Sequence, residues 1–122
     1  MKNTTESREM YLKTIYLLSK RNGDVHNIDI ALELGFSKPS VTNMLKTLAA
    51  DGDIVIDSDN HVHLTSDGYK RAEKIYDRYT TFVELLDIMG VPSDKIHDAA
   101  CKLEHGVDDE VFECMKVWLE KH

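Results

Sequence analysis

Four side chains able to ligate a metal, His97, Cys101, Glu104 and His105, stand at i, i+4, i+7 and i+8 in the segment from Ser93 to His105. A helix there would put all four on one stripe. A thiolate, a carboxylate and an imidazole from Cys101, Glu104 and His105 can then converge on one cation without distorting the backbone. Mixed sulfur, oxygen and nitrogen donors suit a borderline first-row transition metal and suit calcium or magnesium poorly. One helix leaves the coordination shell open, so another segment must contribute, and Met10 offers a soft thioether sulfur. Taken singly, each of these residues is more often core filling or part of a solvated helix face than a ligand. It is the set that carries the metal reading.

Two other chemistries stay open at this point. His97 and His105 flank Cys101 one turn away on either side, an arrangement that could stabilise a thiolate and make the chain a thiol-based oxidoreductase or oxidant sensor. Against that, there is no C-x-x-C pair, and the second cysteine is Cys114, thirteen residues on. A structural disulfide between the two is disfavoured in a reducing compartment. A metallohydrolase would need an H-E-x-x-H motif or a general base beside an open coordination position, and neither is evident.

The elements that must hold these residues are readable from punctuation and periodicity. At 122 residues and 42% apolar content the chain has room for one compact domain, or for a small unit with a helical extension. Residues 5–20 carry apolar side chains at mostly helical spacing, which predicts a first helix. Asn27 can cap a short second helix that Gly35 stops in a left-handed conformation. Ser37 then caps a third, with Pro39 tolerated in its first turn. Two short helices joined by Gly35-Phe36-Ser37 match the helix-turn-helix pattern, with Lys38, Ser40, Thr42, Asn43, Lys46 and Thr47 on the exposed face of the second. Residues 53–57 and 61–64 alternate around Ser58-Asp59-Asn60, which predicts a β-hairpin, from whose tip His61 and His63 could reach DNA. Helix-turn-helix plus hairpin makes a winged helix. Thr65 can cap a long helix over residues 66–88, whose basic residues Lys70, Arg71, Lys74 and Arg78 could lie near a phosphate backbone. Two shorter helices follow, over residues 94–105 and 109–121. The expected architecture is therefore mainly α, with a winged helix-turn-helix DNA-binding domain over residues 1–65 and a helical metal-binding and dimerisation domain over residues 66–122.

Charge limits where nucleic acid could bind. The formal net charge is −7, which argues against a general nucleic-acid coat. Residues 1–83 carry 11 Lys and Arg against 12 Asp and Glu, whereas residues 84–122 carry 4 against 10, so any DNA contact belongs to the first part. The longest apolar stretch, residues 81–89, is too short and too charged to span a membrane, and residues 2–9 make no signal peptide, so a cytoplasmic location is expected. Phe82 to Met89, together with Val111, Phe112, Met115, Val117 and Trp118, offers more apolar surface than three helices need for themselves, which favours a homodimer.

Several stretches carry a family resemblance: Glu9-Met10-Tyr11-Leu12-Lys13-Thr14-Ile15-Tyr16, Ser37-x-Pro39-Ser40-Val41, Leu64-Thr65-x-x-Gly68 and, most specifically, His97-Asp98-x-Ala100-Cys101-x-x-Glu104-His105. They resemble the diphtheria toxin repressor family of iron- and manganese-dependent regulators. The resemblance implies a winged-helix domain, a dimerisation domain, and metal-activated repression from a palindromic operator controlling metal homeostasis genes, with no enzymatic activity. It places the activating metal on Met10, Cys101, Glu104 and His105. Softer donors than those of the manganese branch, which has an acidic residue at the position of Met10, Glu at that of Cys101 and an acid at that of Lys13, favour iron(II) over manganese(II). The family's ancillary site aligns with Tyr79 and Val83, so that with only His97 kept and Glu84 as a neighbouring substitute it is expected to be weakened or absent. On the DNA side the resemblance implicates Ser37, Pro39, Ser40 and Asn43, beside Lys38 and Lys46. Asn43 stands where the family commonly has Gln, which implies a different operator preference. The chain stops at His122, short of the SH3-like domain of longer iron-type members. A metal-independent winged-helix regulator is the closest rival reading.

Overall fold

The computed structural model describes residues 4–122. Its elements run α1 (Thr4–Asn22), α2 (Asn27–Leu34), α3 (Lys38–Ala50), β1 (Ile54–Ile56), β2 (Val62–Leu64), α4 (Ser66–Ile88), α5 (Ser93–Gly106) and α6 (Asp109–Lys121). This is the mainly α winged-helix order expected from the sequence. The described residues form two compact units that divide between Glu73 and Lys74, within α4. No helix among the described residues is long and apolar enough to cross a membrane.

In the first unit the core is made by one apolar face from each element. Ile15 of α1, Ile30 of α2, Val41 and Leu48 of α3 and Ile54 of β1 are fully buried, together with Val25. Each such side chain contributes roughly 1.5–3 kcal/mol of burial. The helix-turn-helix corner forms where its residue types demand. Gly35 takes φ 71°, a conformation nearly free of cost only for glycine, and ends α2. Ser37 Oγ accepts the Ser40 amide at 3.3 Å and caps α3. The start of α2 differs from expectation by one residue: His26, not Asn27, is the cap. The Asp29 carboxylate reaches back to the His26 amide at 2.8 Å, so the anchor comes from the third residue of the helix. Asn27 instead donates from Nδ2 to Thr42 Oγ1 at 2.7 Å, tying α2 to α3.

The hairpin pairs Ile54 with Leu64, Val55 with His63 and Ile56 with Val62 in antiparallel register. Asn60, with φ 65°, supplies the left-handed residue that the tight turn needs. The Val62 amide also donates to the Val25 carbonyl at 2.7 Å, fastening the hairpin to the chain just before α2.

The Leu64-Thr65-x-x-Gly68 stretch acquires a physical reason here. Thr65 Oγ1 accepts the Gly68 amide at 3.0 Å and donates to the Gly52 carbonyl at 2.6 Å, while the Thr65 amide donates to the Asp53 carbonyl at 3.0 Å. A Cβ on Gly68 would stand 1.9 Å from that same Asp53 oxygen. Only a residue without a side chain lets the first turn of α4 dock on the α3–β1 connection.

In the second unit Phe82, Ala100 and Phe112 form a core from α4, α5 and α6, with Tyr79, Leu85, Leu103 and Met115 packed against it. Ile88, Met89, Val111, Val117 and Trp118 remain exposed. The apolar set expected to drive association is thus divided, with Phe82 and Phe112 spent on the interior of the unit.

Candidate metal centre

Helix α5 starts at Ser93 behind Pro92 and keeps Ile96, Ala100 and Glu104 buried along one face. Glu104 is 3% exposed, an unusual place for a carboxylate, and the His105 side chain beside it is 5% exposed. Their facing atoms, Glu104 Oε2 and His105 Nε2, lie 3.3 Å apart. One turn earlier Cys101 is half-buried and outside any disulfide, and Cys114 is an exposed thiol on α6. The structure brings the Glu104 carboxylate and the His105 imidazole together in a largely desolvated setting, with the Cys101 thiol one turn earlier on the same helix. That donor set fits a borderline divalent cation, whose charge would compensate the buried carboxylate. Met10 lies part-buried on α1, in the first unit.

Of the three residues expected at a weakened ancillary site, two meet, Tyr79 and His97. Glu84 is exposed on α4. Tyr79 and His97 instead form a chain that leads to Cys101: the Tyr79 hydroxyl is 2.7 Å from His97 Nδ1, and His97 Nε2 is 3.7 Å from Cys101 Sγ. A hydroxyl that donates to Nδ1 puts the ring proton on Nε2, where it faces the sulfur. Burial first, and then the negative charges of Cys101 and Glu104, push the Tyr79 phenol above its ordinary value.

Sequence reasoning missed the residue that shapes the end of α5. Arg78, counted with Lys70, Arg71 and Lys74 as a basic face for phosphates, is only 8% exposed. Its Nη1 donates to the carbonyl oxygens of Glu104, at 3.3 Å, and of Val107, and its Nη2 to Asp109 Oδ1 at 2.6 Å. Its guanidinium also lies 4.9 Å over the Phe112 ring. The hydrogen bond from Arg78, followed by the charge of Lys74, holds the Asp109 carboxyl below its ordinary range. Arg71 is likewise committed, to the buried Asp53. The expected phosphate-facing stripe on α4 thus shrinks, because two of its four cations neutralise or cap groups inside the fold. Only long-range pairing distinguishes these roles, and no local pattern carries that signal.

On the other unit, Ser37, Lys38, Pro39, Ser40, Asn43 and Lys46 all lie exposed at the start and along one side of α3. Ser37 Oγ donates to Ser40 Oγ at 3.0 Å as well as capping the helix.

The iron dependent repressor N-terminal DNA binding domain matches residues 3–62, and the iron dependent repressor metal binding and dimerisation domain matches residues 65–121. The chain belongs to the iron dependent repressor family. Members are DNA-binding transcriptional regulators, not enzymes. Among relatives of this repressor-family chain, an uncharacterized HTH-type transcriptional regulator of Methanocaldococcus jannaschii is 34% identical over 119 residues, covering 96% of this chain and 95% of that protein. The diphtheria toxin repressor of Corynebacterium diphtheriae is 35% identical over 112 residues, 91% of this chain and 50% of that protein. The solved structure of the manganese regulator SloR superposes with a TM-score of 0.81 at 32% identity, covering 93% of this chain and 53% of that one. This chain thus spans about half the length of the latter two proteins and nearly all of the archaeal one.

Proposed function

We propose that this member of the iron dependent repressor family is a metal-activated transcriptional repressor acting as a cytoplasmic homodimer on a palindromic operator. The buried Glu104–His105 pair one turn from Cys101, inside the segment matched by the metal binding and dimerisation domain, is the observation that supports this most. The donor set is Met10, Cys101, Glu104 and His105, with Met10 included on the family resemblance. The metal, when bound, supplies a positive charge and a fixed coordination geometry. Cys101 provides the thiolate, Glu104 the buried counter-charge and His105 the imidazole, while His97 and Tyr79 orient Cys101 rather than holding an ancillary ion with Glu84.

Residues 1–65 read DNA and residues 66–122 bind metal and dimerise. Ser37, Lys38, Pro39, Ser40, Asn43 and Lys46 meet the major groove, with Lys38 and Lys46 neutralising phosphates and Asn43 suited to an adenine edge. Exposed Val111, Val117 and Trp118 form the surface for the second copy. A metal that switches on operator binding makes metal affinity and operator affinity reciprocally linked. Iron(II) is preferred to manganese(II) because thiolate and thioether are softer than carboxylates. Anaerobic titration with each metal, followed by binding to promoter DNA from the source genome, tests this. Tighter binding of iron(II), with DNA binding switched on by it, is expected, and DNA binding indifferent to both metals would refute the proposal.

The approach of His97 to Cys101 Sγ also favours a second reading, in which Cys101 senses oxidants as a thiolate. Alkylation of Cys101 with and without metal separates the two. A ligand thiol is protected by metal, and a sensor thiol is not.

A further inference from the structure

We propose that Asp57, His61 and His63 form a second divalent metal site on the β-hairpin, separate from the α5 donors and suited to an imidazole-preferring ion of the zinc(II) class. One ligand atom from each of these residues lies within 4.8 Å of the other two. His63 Nε2 is 2.8 Å and His61 Nδ1 3.5 Å from the same oxygen, Asp57 Oδ2. A tetrahedral zinc site with bonds of 2.0–2.1 Å has ligand–ligand edges of about 3.4 Å, so small side-chain rotations complete the geometry.

The backbone explains why these three converge. Ladder register continues past Ile56 and Val62, with the Asp57 amide donating to the His61 carbonyl at 3.0 Å, so Asp57 stands opposite His61 and diagonal to His63 on one face of the hairpin. The carboxylate is also pre-oriented. Asp57 Oδ1 accepts the amides of Asp59, at 2.9 Å, and His61, at 3.0 Å, which turns Oδ2 toward the two imidazoles. Such outer hydrogen bonds are what fix a ligating carboxylate. The His26 ring packs edge-on against His61 with centroids 4.5 Å apart, and it bounds the site on the side of α2.

Two imidazoles and one carboxylate without a thiolate favour zinc, nickel or copper over calcium or magnesium. With His63 45% and Asp57 38% exposed, water can occupy the remaining coordination position. Binding of a divalent ion there adds positive charge to a hairpin beside the exposed face of α3. All three ligands come from residues 57–63, so the site depends only on the hairpin.

The test is a zinc(II) titration of the metal-stripped full chain at neutral pH, by calorimetry and by competition with a chromogenic chelator. Wild type should bind one more zinc ion per chain than the double variant His61→Ala/His63→Ala, and Cys101→Ala/His105→Ala should retain that ion. Zinc should also shift the imidazole NMR resonances of His61 and His63 in the wild type. Equal stoichiometry in wild type and His61→Ala/His63→Ala, or unmoved His61 and His63 resonances at saturation, would overturn the site. Both histidines are on the surface of the hairpin, and unchanged thermal unfolding of the metal-free double variant confirms that the comparison is between folded chains.

Discussion

Arg78 closes the C-terminal end of α5 by donating to the backbone carbonyl of Glu104, 3.3 Å away, and so positions the residue on which the buried charge of the candidate centre rests. A helix end leaves carbonyl groups without intrahelical donors, and a guanidinium there answers both the hydrogen bonds and the helix dipole. Because Arg78 is nearly buried, its removal leaves the carbonyls of Glu104 and Val107 without this donor in a desolvated setting. Arg78→Ala should therefore cost about 2–3 kcal/mol in urea unfolding. Arg78→Lys should recover only part of this, because one ammonium cannot reproduce the fork that reaches Glu104, Val107 and Asp109. Metal affinity should fall with stability in both variants.

Tyr79→Phe removes the hydroxyl that lies 2.7 Å from His97 Nδ1. If His97 orients Cys101, losing this outer hydrogen bond should weaken metal binding by about tenfold while leaving unfolding nearly unchanged. Competition against a chelator of known affinity measures it. An unaltered affinity would remove the Tyr79–His97 pair from the account of the centre.

Gly68→Ala should destabilise the first unit by about 1–3 kcal/mol, since the new methyl meets the Asp53 carbonyl oxygen and the docked turn of α4 must move away. The residue is helical, so the cause is close approach and not backbone freedom. Urea unfolding of the variant checks the magnitude. Amide exchange of Thr65, which donates to the same oxygen, should quicken.

The Asp57 carboxyl is held down at about 2, against an ordinary 3.8, first by the hydrogen bond from His63 and then by the His61 amide. A folded-state value below the unfolded one means that the stabilisation is fully present above about pH 4 and is lost as pH falls toward 2. Carboxyl-carbon NMR should give a midpoint near 2 in the wild type. In His63→Ala it should move toward 3.8, and an unmoved midpoint would show that His63 is not the main cause.

Much of this was legible in the sequence, for local reasons. Gly35, Ser37 and Pro39 each act within a few residues, so the helix-turn-helix corner could be read without tertiary information. The α5 stripe was equally readable, because helical spacing alone puts Cys101, Glu104 and His105 within one turn. What stayed hidden depends on partners far along the chain. Arg78 looks like any surface cation until Val107 and Asp109 fold against it. His97 and Tyr79, eighteen residues apart, meet only when α4 and α5 pack. The Asp57, His61 and His63 group was hidden differently: its spacing is that of a hairpin, so Asp57 read as a turn boundary and His61 and His63 as DNA contacts of the wing.

Whether metal at the α5 donors controls DNA binding is decided by operator binding of wild type and of Cys101→Ala/His105→Ala, followed anaerobically by fluorescence anisotropy with and without iron(II). Iron(II) should tighten wild-type binding by roughly 5–150-fold and leave the folded variant unaffected. Equal binding by wild type with and without metal, or a full metal response in the variant, would contradict that control.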